Sequence, residues 1–576
     1  MHGFEEMSSG PADSATHSGP WYKELNRYHW FVLIVAALGW LFDTMDQQLF
    51  NLARVPAMRE LLAPGPGMSP LQSDVEFYAG ITTSIFLIGW AAGGLGFGIL
   101  GDRIGRAKTM MWTILLYSAF TGLSALSWDI WSFSFFRFLT GLGVGGEFAV
   151  GVSLVAEVMP ARARPFALGL LQALSAVGNI SAAVISLALS EMEESGSIES
   201  AWRWMFVIGA GPALLAILIR RKLKEPEQWQ SLNDDQLKKK LGSYSELFSS
   251  RWRKNALVGL FLAFAGVVGL WGIGFFSVDL NRSVFKKTFE AEARQQGEAE
   301  KDQQFIASLV TNPEWLESEA GKKRPKPDQM LDLKAGPKVA EPVYAALLAL
   351  YDQKKPISEA AILEQLKVPA NGKTVSAEVQ AESATYLSSV KAASGSSEVA
   401  NEHASRITAR SKRITKQLGF WAAITSVMLN VGAFFGIYFF TYITHYTGRI
   451  PAFAVSFVMA FFATVMVFGY LTEFSQIFWM IPIMGFSQLA LFGGYAIYFP
   501  ELFPTHLRST GTSFCYNVGR FVAASGPVVL GTLTNYVFVG YPEPMRYAGV
   551  CMSSIFIIGL LALPFAPETK GKPLPE

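Results

Sequence analysis

The chain has 576 residues, of which 51% are hydrophobic and only 16% are charged, and its formal net charge is +2 at pH 7. This composition is typical of a membrane protein with many spanning segments and argues against a soluble enzyme. A nearly neutral charge gives no reason to expect a nucleic-acid partner. The two cysteines, Cys515 and Cys551, lie in apolar segments and are expected to pack as small side chains; neither they nor the six histidines show metal-ligand spacing.

Apolar segments long enough to cross a hydrocarbon core of about 30 Å recur along the whole chain. We expect an all-α membrane protein with twelve transmembrane helices, at residues 29–52, 76–100, 108–127, 130–158, 165–190, 203–220, 256–280, 418–442, 451–471, 475–499, 508–532 and 546–566. Lysine and arginine are concentrated in short loops after even-numbered segments, whereas glutamate predominates after the fifth. The positive-inside rule therefore predicts that both termini are cytoplasmic. We expect an integral protein of the cytoplasmic (inner) membrane. Because residues 1–20 are polar and lack the apolar region of a signal peptide, the first segment is expected to serve as the insertion signal.

The first apolar segment carries two carboxylates, Asp43 and Asp46, well inside its length. Residues three apart lie on one face of a helix, so both acids are expected to point the same way. A carboxylate at that depth is costly and usually faces a water-filled cavity or a partner charge. We predict that both acids are proton-coupling residues, because buried acids titrate near neutral pH and two close acids disfavour double ionisation.

Residues 98–108, between the second and third segments, read Gly-Ile-Leu-Gly-Asp-Arg-Ile-Gly-Arg-Ala-Lys. Gly101 and Gly105 permit a tight turn, and Asp102 is suited to accept hydrogen bonds from arginines or from a helix N-terminus. The pattern Glu-x-x-Pro-x-x-x-Arg then closes the fourth segment at 157–164 and the tenth at 501–508. We interpret these charges as a conformational lock rather than as substrate ligands; its predicted members are Asp102, Arg103, Arg106, Glu157, Arg164, Arg449, Glu501 and Arg508.

The chain also repeats itself, which indicates two six-helix halves. The glutamate–proline–arginine pattern recurs after 344 residues, and Gly105-Arg106 recurs at almost that offset as Gly448-Arg449. Six spans with their loops need only about 200 residues, so the excess residues 281–412 are expected to form an insertion outside the cytoplasm. Its pattern predicts helices at 343–351, at 357–366 with Ser358 as the cap, and at 376–390. The predicted division is a cytoplasmic tail at 1–28, a six-helix half at 29–220, a cytoplasmic linker at 221–255, helix seven at 256–280, the insertion at 281–412, helices eight to twelve within 413–566 and a cytoplasmic tail at 567–576.

Two further charges fall near the middle of predicted helices. At 1.5 Å per residue, Glu147 lies ~15 Å from either end of the fourth helix, and Arg520 lies ~18 Å along the eleventh from Arg508. Duplicated two-half membrane proteins of the transporter type bind their ligands centrally, between the halves, so such a repeat makes central charges candidates for ligand binding. Arg520 is expected either to hold a substrate carboxylate with its planar fork or to pair with a buried acid, and Glu147 either to couple protons or to pack as a hydrogen-bonded acid. The further candidates for substrate binding are Gln172, Trp271, Tyr516 and Asn517.

The loop at 98–108, in its position after the second of twelve segments, resembles the signature of the major facilitator superfamily. Residues 137–147, 225–229 and 567–572 are similar to the sugar-porter and metabolite:proton symporter branches. The resemblance covers everything except the N-terminal tail and the insertion, and it implies the two-half fold of that superfamily. The paired acids of the first segment and the run from Asn517 to Arg520 are similar to the sialic-acid and aromatic-acid proton symporters. The seventh segment, by contrast, lacks the glutamine pair and the asparagine that hold hexose in sugar porters.

The residues and the resemblance together predict a secondary active transporter that takes up a small organic anion, such as a sialic, aromatic or short-chain acid, with protons. We expect no enzyme activity, no metal and no cofactor besides the coupling proton, in a monomer whose partners are the substrate and the lipid bilayer. A sugar:proton symporter is the alternative, favoured by Asp43 and the 567–572 run and opposed by Arg520 and the seventh segment. An alternative of another class is a transporter-like nutrient sensor that signals through residues 281–412 or its cytoplasmic loops.

Overall fold

The computed structural model describes residues 20–62, 72–212, 223–230, 240–331, 339–368, 375–391, 396–538 and 540–575, and all regular structure within them is helical. The helices before the insertion are α1 (Arg27–Leu61), α2 (Gln72–Ile104), α3 (Arg106–Ser124), α4 (Ile130–Val158), α5 (Arg164–Glu194), α6 (Ala201–Gly209) and α7 (Arg253–Gly272). The helices of the predicted insertion are α8 (Ser277–Gln295), α9 (Glu298–Thr311), α10 (Ala340–Asp352), α11 (Glu359–Gln365) and α12 (Ala377–Lys391). The remaining helices are α13 (Ser397–Thr447), α14 (Arg449–Tyr470), α15 (Phe474–Leu502), α16 (Arg508–Ala523), α17 (Gly526–Thr532), α18 (Pro544–Met552) and α19 (Ile555–Ala562).

The long helices begin at side chains that satisfy their first backbone N–H groups. Asn26 and His29 form a reciprocal capping box at the start of α1, and Asp129 and Ser132 form another at the start of α4. Such boxes pair N–H groups that have no partner inside the helix. At 1.5 Å per residue, the 35 residues of α1 extend ~52 Å, which is longer than the hydrocarbon core. The helix therefore tilts or projects beyond the bilayer.

Nine helical stretches among the described residues are long and apolar enough to cross a membrane, which makes this an integral membrane protein; they are Arg27–Leu61, Phe77–Ile104, Ile130–Val158, Arg164–Glu194, Arg253–Gln295, Ser397–Thr447, Arg449–Tyr470, Phe474–Leu502 and Pro544–Phe565. The predicted third and eleventh spans correspond to α3 and α16, which are helical but carry many hydroxyl and charged side chains. The predicted sixth span begins as α6, and its residues 213–220 lie outside the described part. The count of twelve therefore stays a prediction.

The same close helix contact occurs once in each half. In the first half, α2 packs against α4 so tightly that a Cβ on Gly145 would overlap the backbone oxygen of Trp90. In the second half, α13 packs against α15, and a Cβ on Gly432 would overlap the backbone oxygen of Pro482. Small residues at membrane helix crossings let backbones approach closely. This recurrence agrees with the repeat seen in the sequence.

The two halves meet along two pairs of helices. Helix α5 packs against α13, and α2 packs against α16. At the second contact the Ser513 hydroxyl donates to the backbone oxygen of Gly94, and the Thr510 hydroxyl donates to that of Gly98 at 3.3 Å. Side chains that face this seam are therefore accessible to both halves, and the candidate site lies along it.

The predicted insertion contains a helical body with a hydrophobic core of its own. That core is separate from the core of the bundle and includes Phe305, Trp315, Tyr344, Leu347 and Ile407. The three predicted helices are confirmed as α10, α11 and α12, and the Ser358 hydroxyl caps α11 by accepting from the N–H of Ala361 at 3.3 Å.

The body is joined to the bundle by continuous helix. Helix α13 contains the predicted eighth span but begins at Ser397, well before the expected start at 418, and runs for 51 residues. A buried ion pair holds this extension to α9, because Arg410 donates to both carboxylate oxygens of Asp302 at 2.8 and 2.9 Å. The predicted boundary at 412–413 therefore falls inside one helix rather than in a linker.

Candidate functional site

Asp46 forms a buried ion pair with an arginine of the fourth helix. Its Oδ2 lies 3.4 Å from Nη1 of Arg137, and its Oδ1 accepts a hydrogen bond from the Thr121 hydroxyl at 2.8 Å. Arg137 also donates to the hydroxyls of Ser124, at 3.0 Å, and Thr140, at 2.8 Å. Both charged side chains are fully buried. The pair thus joins α1 to α4, and hydroxyl groups satisfy the guanidinium on its other edges.

The sequence interpretation used Arg137 only as part of a motif and missed it as the partner of Asp46. A signal was present, because a buried carboxylate requires a nearby cation or a proton and the fourth segment contains one arginine. Which acid it would meet depended on how α1 and α4 pack, and the spacing along either helix does not contain that information.

Asp43 has a different environment although it lies one turn from Asp46. Among the described residues neither of its carboxylate oxygens has a hydrogen bond of normal geometry, although the Gln47 side chain lies close, and both oxygens of Glu147 on α4 are likewise unpaired. The two side chains are buried, and Asp43 lies within electrostatic range of Glu147, Asp46 and Arg520. An isolated buried carboxylate is very costly when ionised, so groups of this kind are satisfied by a proton or by a ligand.

Several other buried polar atoms near these acids also lack a hydrogen-bond partner. The Tyr117 hydroxyl lies within electrostatic range of Asp43 and Glu147, and Trp40, which packs on Phe148 at 4.5 Å, leaves its ring nitrogen unpaired. Buried polar groups are normally paired, so a concentration of unpaired ones identifies a place built for water, protons or a polar ligand.

Arg520 is enclosed by aromatic rings and has no carboxylate partner among the described residues. Its guanidinium carbon lies 4.0 Å from the ring centroid of Trp90 and 4.2 Å from that of Tyr516. Nη1 donates to the backbone oxygen of Tyr516 at 3.1 Å and to Oδ1 of Asn517 at 2.6 Å, while Nε has no hydrogen-bond partner. The ion pair with a buried acid that was one expectation is therefore not formed in the described part of the chain, and Glu147 in particular does not bind Arg520. The guanidinium is therefore a buried cation with unused donor capacity.

The structure brings most of the predicted substrate residues to this place. Tyr516 and Asn517 bind Arg520 directly, and Trp271 on α7 stacks edge-on against Trp90 at 5.0 Å. Gln172 lies elsewhere, on α5, where it is buried with its Oε1 unpaired. One turn further along α5, the backbone oxygen of Ser175 accepts from the Thr44 hydroxyl at 3.1 Å, so this face of α5 is the one next to α1 and its acids.

At one end of the bundle, Glu157 binds arginines of both halves. Arg106 donates to its two carboxylate oxygens at 3.1 and 2.9 Å, and Arg508 donates to Oε1 at 2.8 Å. Arg106 also donates to the backbone oxygen of Thr505 at 2.7 Å, across the seam. All three charged side chains are fully buried. We call the end of the bundle that contains Glu157 and Asp102 the lock end.

Asp102 of the first half caps a helix of the second half. Its carboxylate accepts from the backbone N–H of Ser509 at 3.2 Å, from that of Thr510 at 2.9 Å and from the Thr510 hydroxyl at 2.6 Å. These residues form the first turn of α16, where free N–H groups and the helix dipole favour an anion. The cap therefore ties α2 to α16 at the lock end.

The corresponding cluster of the second half does not cross the seam. Arg449 donates to both carboxylate oxygens of Glu501 at 3.0 and 2.8 Å, and the Thr569 hydroxyl donates to the same carboxylate at 2.6 Å. Two other predicted lock residues form no ion pair among the described residues: Arg103 donates to the backbone oxygen of Leu241, and Arg164 to that of Met159. Six of the eight predicted lock residues thus lie in two charged clusters, whereas Arg103 and Arg164 lie outside both clusters.

A feature that the sequence interpretation missed is a carboxylate cap at the start of α3. Gly105 adopts a positive φ of 110°, and a Cβ there would overlap the carboxylate of Glu225. Glu225 accepts from the backbone N–H groups of Ala107 and Lys108, both at 3.1 Å. The segment that follows the sixth span is thereby fixed against the start of the third helix.

The second half repeats this cap at the start of α14. Gly448 has φ of 100°, and Glu568 accepts from the backbone N–H groups of Arg449, at 3.0 Å, and Ile450, at 3.1 Å. Burial of Glu568 opposes its ionisation, but these backbone donors outweigh that effect and hold its pKa below the usual value. The available signal was the shared spacing, because Glu225 follows Gly105 by 120 residues and Glu568 follows Gly448 by the same 120 residues.

Two helical halves of this integral membrane protein meet around buried charges. Residues 34–289 match the model of the Major Facilitator Superfamily. The fold is similar to that of the proton:xylose symporter XylE over 95% of this chain and 98% of that protein, with a TM-score of 0.54 and 14% sequence identity. The matched stretch is 256 of the 576 residues, so this part of the chain resembles the major facilitator superfamily, and nearly the whole chain shares the fold of XylE.

Curated relatives carry several different transport names. A putative metabolite transport protein of Haemophilus influenzae is 23% identical over 96% of this chain and 99% of its own length. The sialic acid transporter NanX of Escherichia coli is 31% identical over 36% of this chain and 47% of its own, and the niacin transporter NiaP of Acinetobacter baylyi is 30% identical over 35% and 42%. This chain therefore matches less than half the length of the latter two relatives.

Proposed function

We propose that this protein imports a small organic anion by alternating access, coupled to protons. The observation that carries the proposal is Arg520, which is buried to 1% exposure, is always charged and has no carboxylate within ion-pair distance among the described residues. A buried cation without a counter-ion is unfavourable, so its partner is the carboxylate of the substrate. The planar guanidinium fork suits a carboxylate bound through two hydrogen bonds.

The surroundings of Arg520 favour an acid with an apolar or aromatic body. Trp90, Tyr516 and Trp271 offer ring surfaces beside the guanidinium, and Phe148 stacks on Tyr516 at 4.2 Å. Apolar walls with a few placed polar groups are typical of small-molecule sites. Two relatives are named for sialic acid and niacin, both carboxylic acids, which supports an organic acid as the substrate class.

For the coupling ion we propose the proton, held in turn by three carboxyl groups. Protonation of Asp46 would remove the charge that attracts Arg137 and would loosen α1 from α4. Asp43 and Glu147 are buried and have no cation within ion-pair distance among the described residues, so we assign them the protonated form in this conformation. Asp43 also lies within electrostatic range of Arg520, which provides a route by which substrate charge and proton binding affect each other.

The lock end provides the closed barrier of the alternating-access cycle. For it to open, Glu157 must release Arg508, Asp102 must release the first turn of α16, and Arg106 must release Thr505. We propose that this end faces the cytoplasm and that both termini of this inner-membrane protein lie on that side, because the positively charged short loops belong to this end. We propose a monomer that needs no cofactor besides the coupling proton.

Uptake by purified protein in liposomes with an inside-alkaline pH gradient tests this function. We expect gradient-dependent accumulation of at least one labelled acid among nicotinate, benzoate and N-acetylneuraminate, and none of xylose. Collapse of the gradient with a protonophore should abolish accumulation. Binding of an acid without any flux would instead indicate a sensor.

A sugar:proton symporter is the second candidate. A glucose transport protein of Synechocystis is 36% identical over 32% of this chain, and XylE has the same fold. Against it stands Arg520, because a neutral sugar would leave the guanidinium without a counter-charge. Accumulation of xylose or glucose, undiminished in Arg520→Gln, would favour this candidate over the anion.

A further inference from the structure

A small cleft opens between α1, α2 and the start of α8, at the end of the bundle opposite the lock end. Tyr28, near the start of α1, contacts Lys224 at the lock end, and Arg54 lies 26 residues further along the same helix, or ~39 Å away. The cleft is lined by Gln48, Asn51, Arg54, Thr83, Trp271 and Asp279, with Arg282 at its edge.

Two arginines share one carboxylate in this cleft. Nη2 of Arg54 lies 3.7 Å from one oxygen of Asp279, and Nη1 of Arg282 lies 3.5 Å from the other. Arg54 also donates to the Thr83 hydroxyl at 3.1 Å. Charge-assisted hydrogen bonds normally measure about 2.7–2.9 Å, so both ion pairs are loose. The cluster therefore keeps a net positive charge and weakly held donors.

The cleft leads directly towards Arg520. Trp271 lines the cleft and packs against Trp90, with 5.0 Å between the ring centroids. The guanidinium carbon of Arg520 lies 4.0 Å from the centroid of the Trp90 ring. Gln48, another lining residue, donates to the Ser426 hydroxyl on α13 at 2.8 Å and holds the halves together beside the cleft. Two tryptophan rings thus separate the arginine cluster from the central guanidinium.

We propose that this cleft is an outer capture site for the carboxylate of the transported anion. Arg54 and Arg282 hold the incoming carboxylate, and Asp279 occupies its place until it arrives. Displacement of Asp279 frees α8 from α1, and the anion then passes the Trp271–Trp90 partition to reach Arg520. This inference rests on the proposed anion transport and adds a second, peripheral site to it.

The test is the apparent KM of the transported acid in liposomes, with nicotinate, benzoate, N-acetylneuraminate and xylose as the probes. Asp279→Asn removes the competing carboxylate and should lower the KM about 3- to 10-fold, whereas Arg54→Gln and Arg282→Gln should raise it by a similar factor. These shifts should shrink in 0.5 M salt, because the charges are partly exposed. Glu60→Gln and Arg203→Gln are the matched controls, since they break a partly exposed ion pair six residues further along α1 that lines no part of the cleft; their KM should equal that of the wild type.

The opposite signs separate capture from a structural latch. If the Arg54–Asp279 ion pair only holds α1 to α8, Asp279→Asn and Arg54→Gln break the same contact and shift the KM in the same direction, which would overturn the inference. An acid that is transported with an unchanged KM in all three variants would also overturn it while leaving the proposed function intact. Transport of xylose and of none of the acids would remove the proposed function and this inference together.

Discussion

Glu147 occupies a space that exists only because residue 39 is glycine. A Cβ on Gly39 would overlap Oε1 of Glu147, and Met110 closes the same space from α3 at 3.0 Å. The acid of α4 is therefore pressed against the backbone of α1, one turn before Asp43. The distance between the carboxyl groups of Asp43 and Glu147 is therefore set by how α1 and α4 cross, and not by a hydrogen bond of normal geometry between these acids and other described residues.

Gly39→Ala should disturb this arrangement. The overlapping atoms are the ends of the flexible Glu147 and Met110 side chains, so we expect these side chains to shift, with impaired proton-driven uptake and only a small fall in melting temperature. Gly80→Ala is the matched control, because a Cβ at that helical position meets no atom within 4 Å and alanine is the better helix former. A Gly39→Ala protein that transports like the wild type would show that uptake does not depend on the position of Glu147.

Asp46→Asn should abolish accumulation driven by a pH gradient while counterflow exchange partly survives. The amide keeps the shape and its contact with Thr121 but carries no titratable proton. Asp43→Asn should weaken both activities. Full gradient-driven accumulation in Asp46→Asn would refute the assignment of this residue.

Arg137→Gln should destabilise the protein by several kcal/mol, because it leaves Asp46 as a buried charge without its partner, and combining it with Asp46→Asn should recover much of that loss.

Arg520→Lys should raise the Kd of the substrate strongly, because a point charge does not reproduce the planar fork. Arg520→Gln should be worse: losing a charged hydrogen-bond partner costs about 1.5–3 kcal/mol, which corresponds to roughly 10- to 150-fold in affinity. Isothermal titration with the transported acid measures both. Recovery of binding when Glu147→Gln is added to Arg520→Gln would mean that the two charges serve each other rather than the substrate.

Glu157→Gln should weaken the lock end, since it removes the carboxylate shared by Arg106 and Arg508. Hydrogen–deuterium exchange should increase in peptides covering residues 505–513, where the N–H of Thr510 is protected by Asp102. Glu501→Gln is the comparison, because its ion pair with Arg449 stays within the second half and should leave exchange at 505–513 near the wild-type value. Equal effects of the two substitutions would contradict a lock that depends on Glu157.

Replacement of residues 297–396 by about twelve Gly and Ser residues should leave uptake measurable. The body that is removed has its own core, and a linker of this length spans roughly 17–21 Å on average. The wider replacement of 284–410 should lower the melting temperature, because it also removes Phe285, which stacks on Phe474 at 4.1 Å, and Phe289. A folded 297–396 replacement without uptake would assign the body a part in transport.

The sequence alone predicted the class of protein, because spanning segments, loop charges and repeated motifs are properties of single stretches of chain. It also predicted that Asp43, Asp46, Glu147 and Arg520 would be buried, since a charge in the middle of a long apolar helix has no route to bulk water. The helices of the insertion followed from local periodicity and from Ser358, whose hydroxyl caps its own helix.

The tertiary structure decided which of these charges meet. Spacing along one helix fixes the depth and face of a residue, but its partner depends on the rotation and crossing of two helices that are distant in sequence. That is why Asp46 pairs with Arg137 while Asp43, three residues earlier on the same helix, has no ion-pair partner among the described residues. It is also why Glu157 joins both halves and its repeat, Glu501, binds only its own. Partners across a helix crossing are set by packing, and packing is a property of the whole bundle.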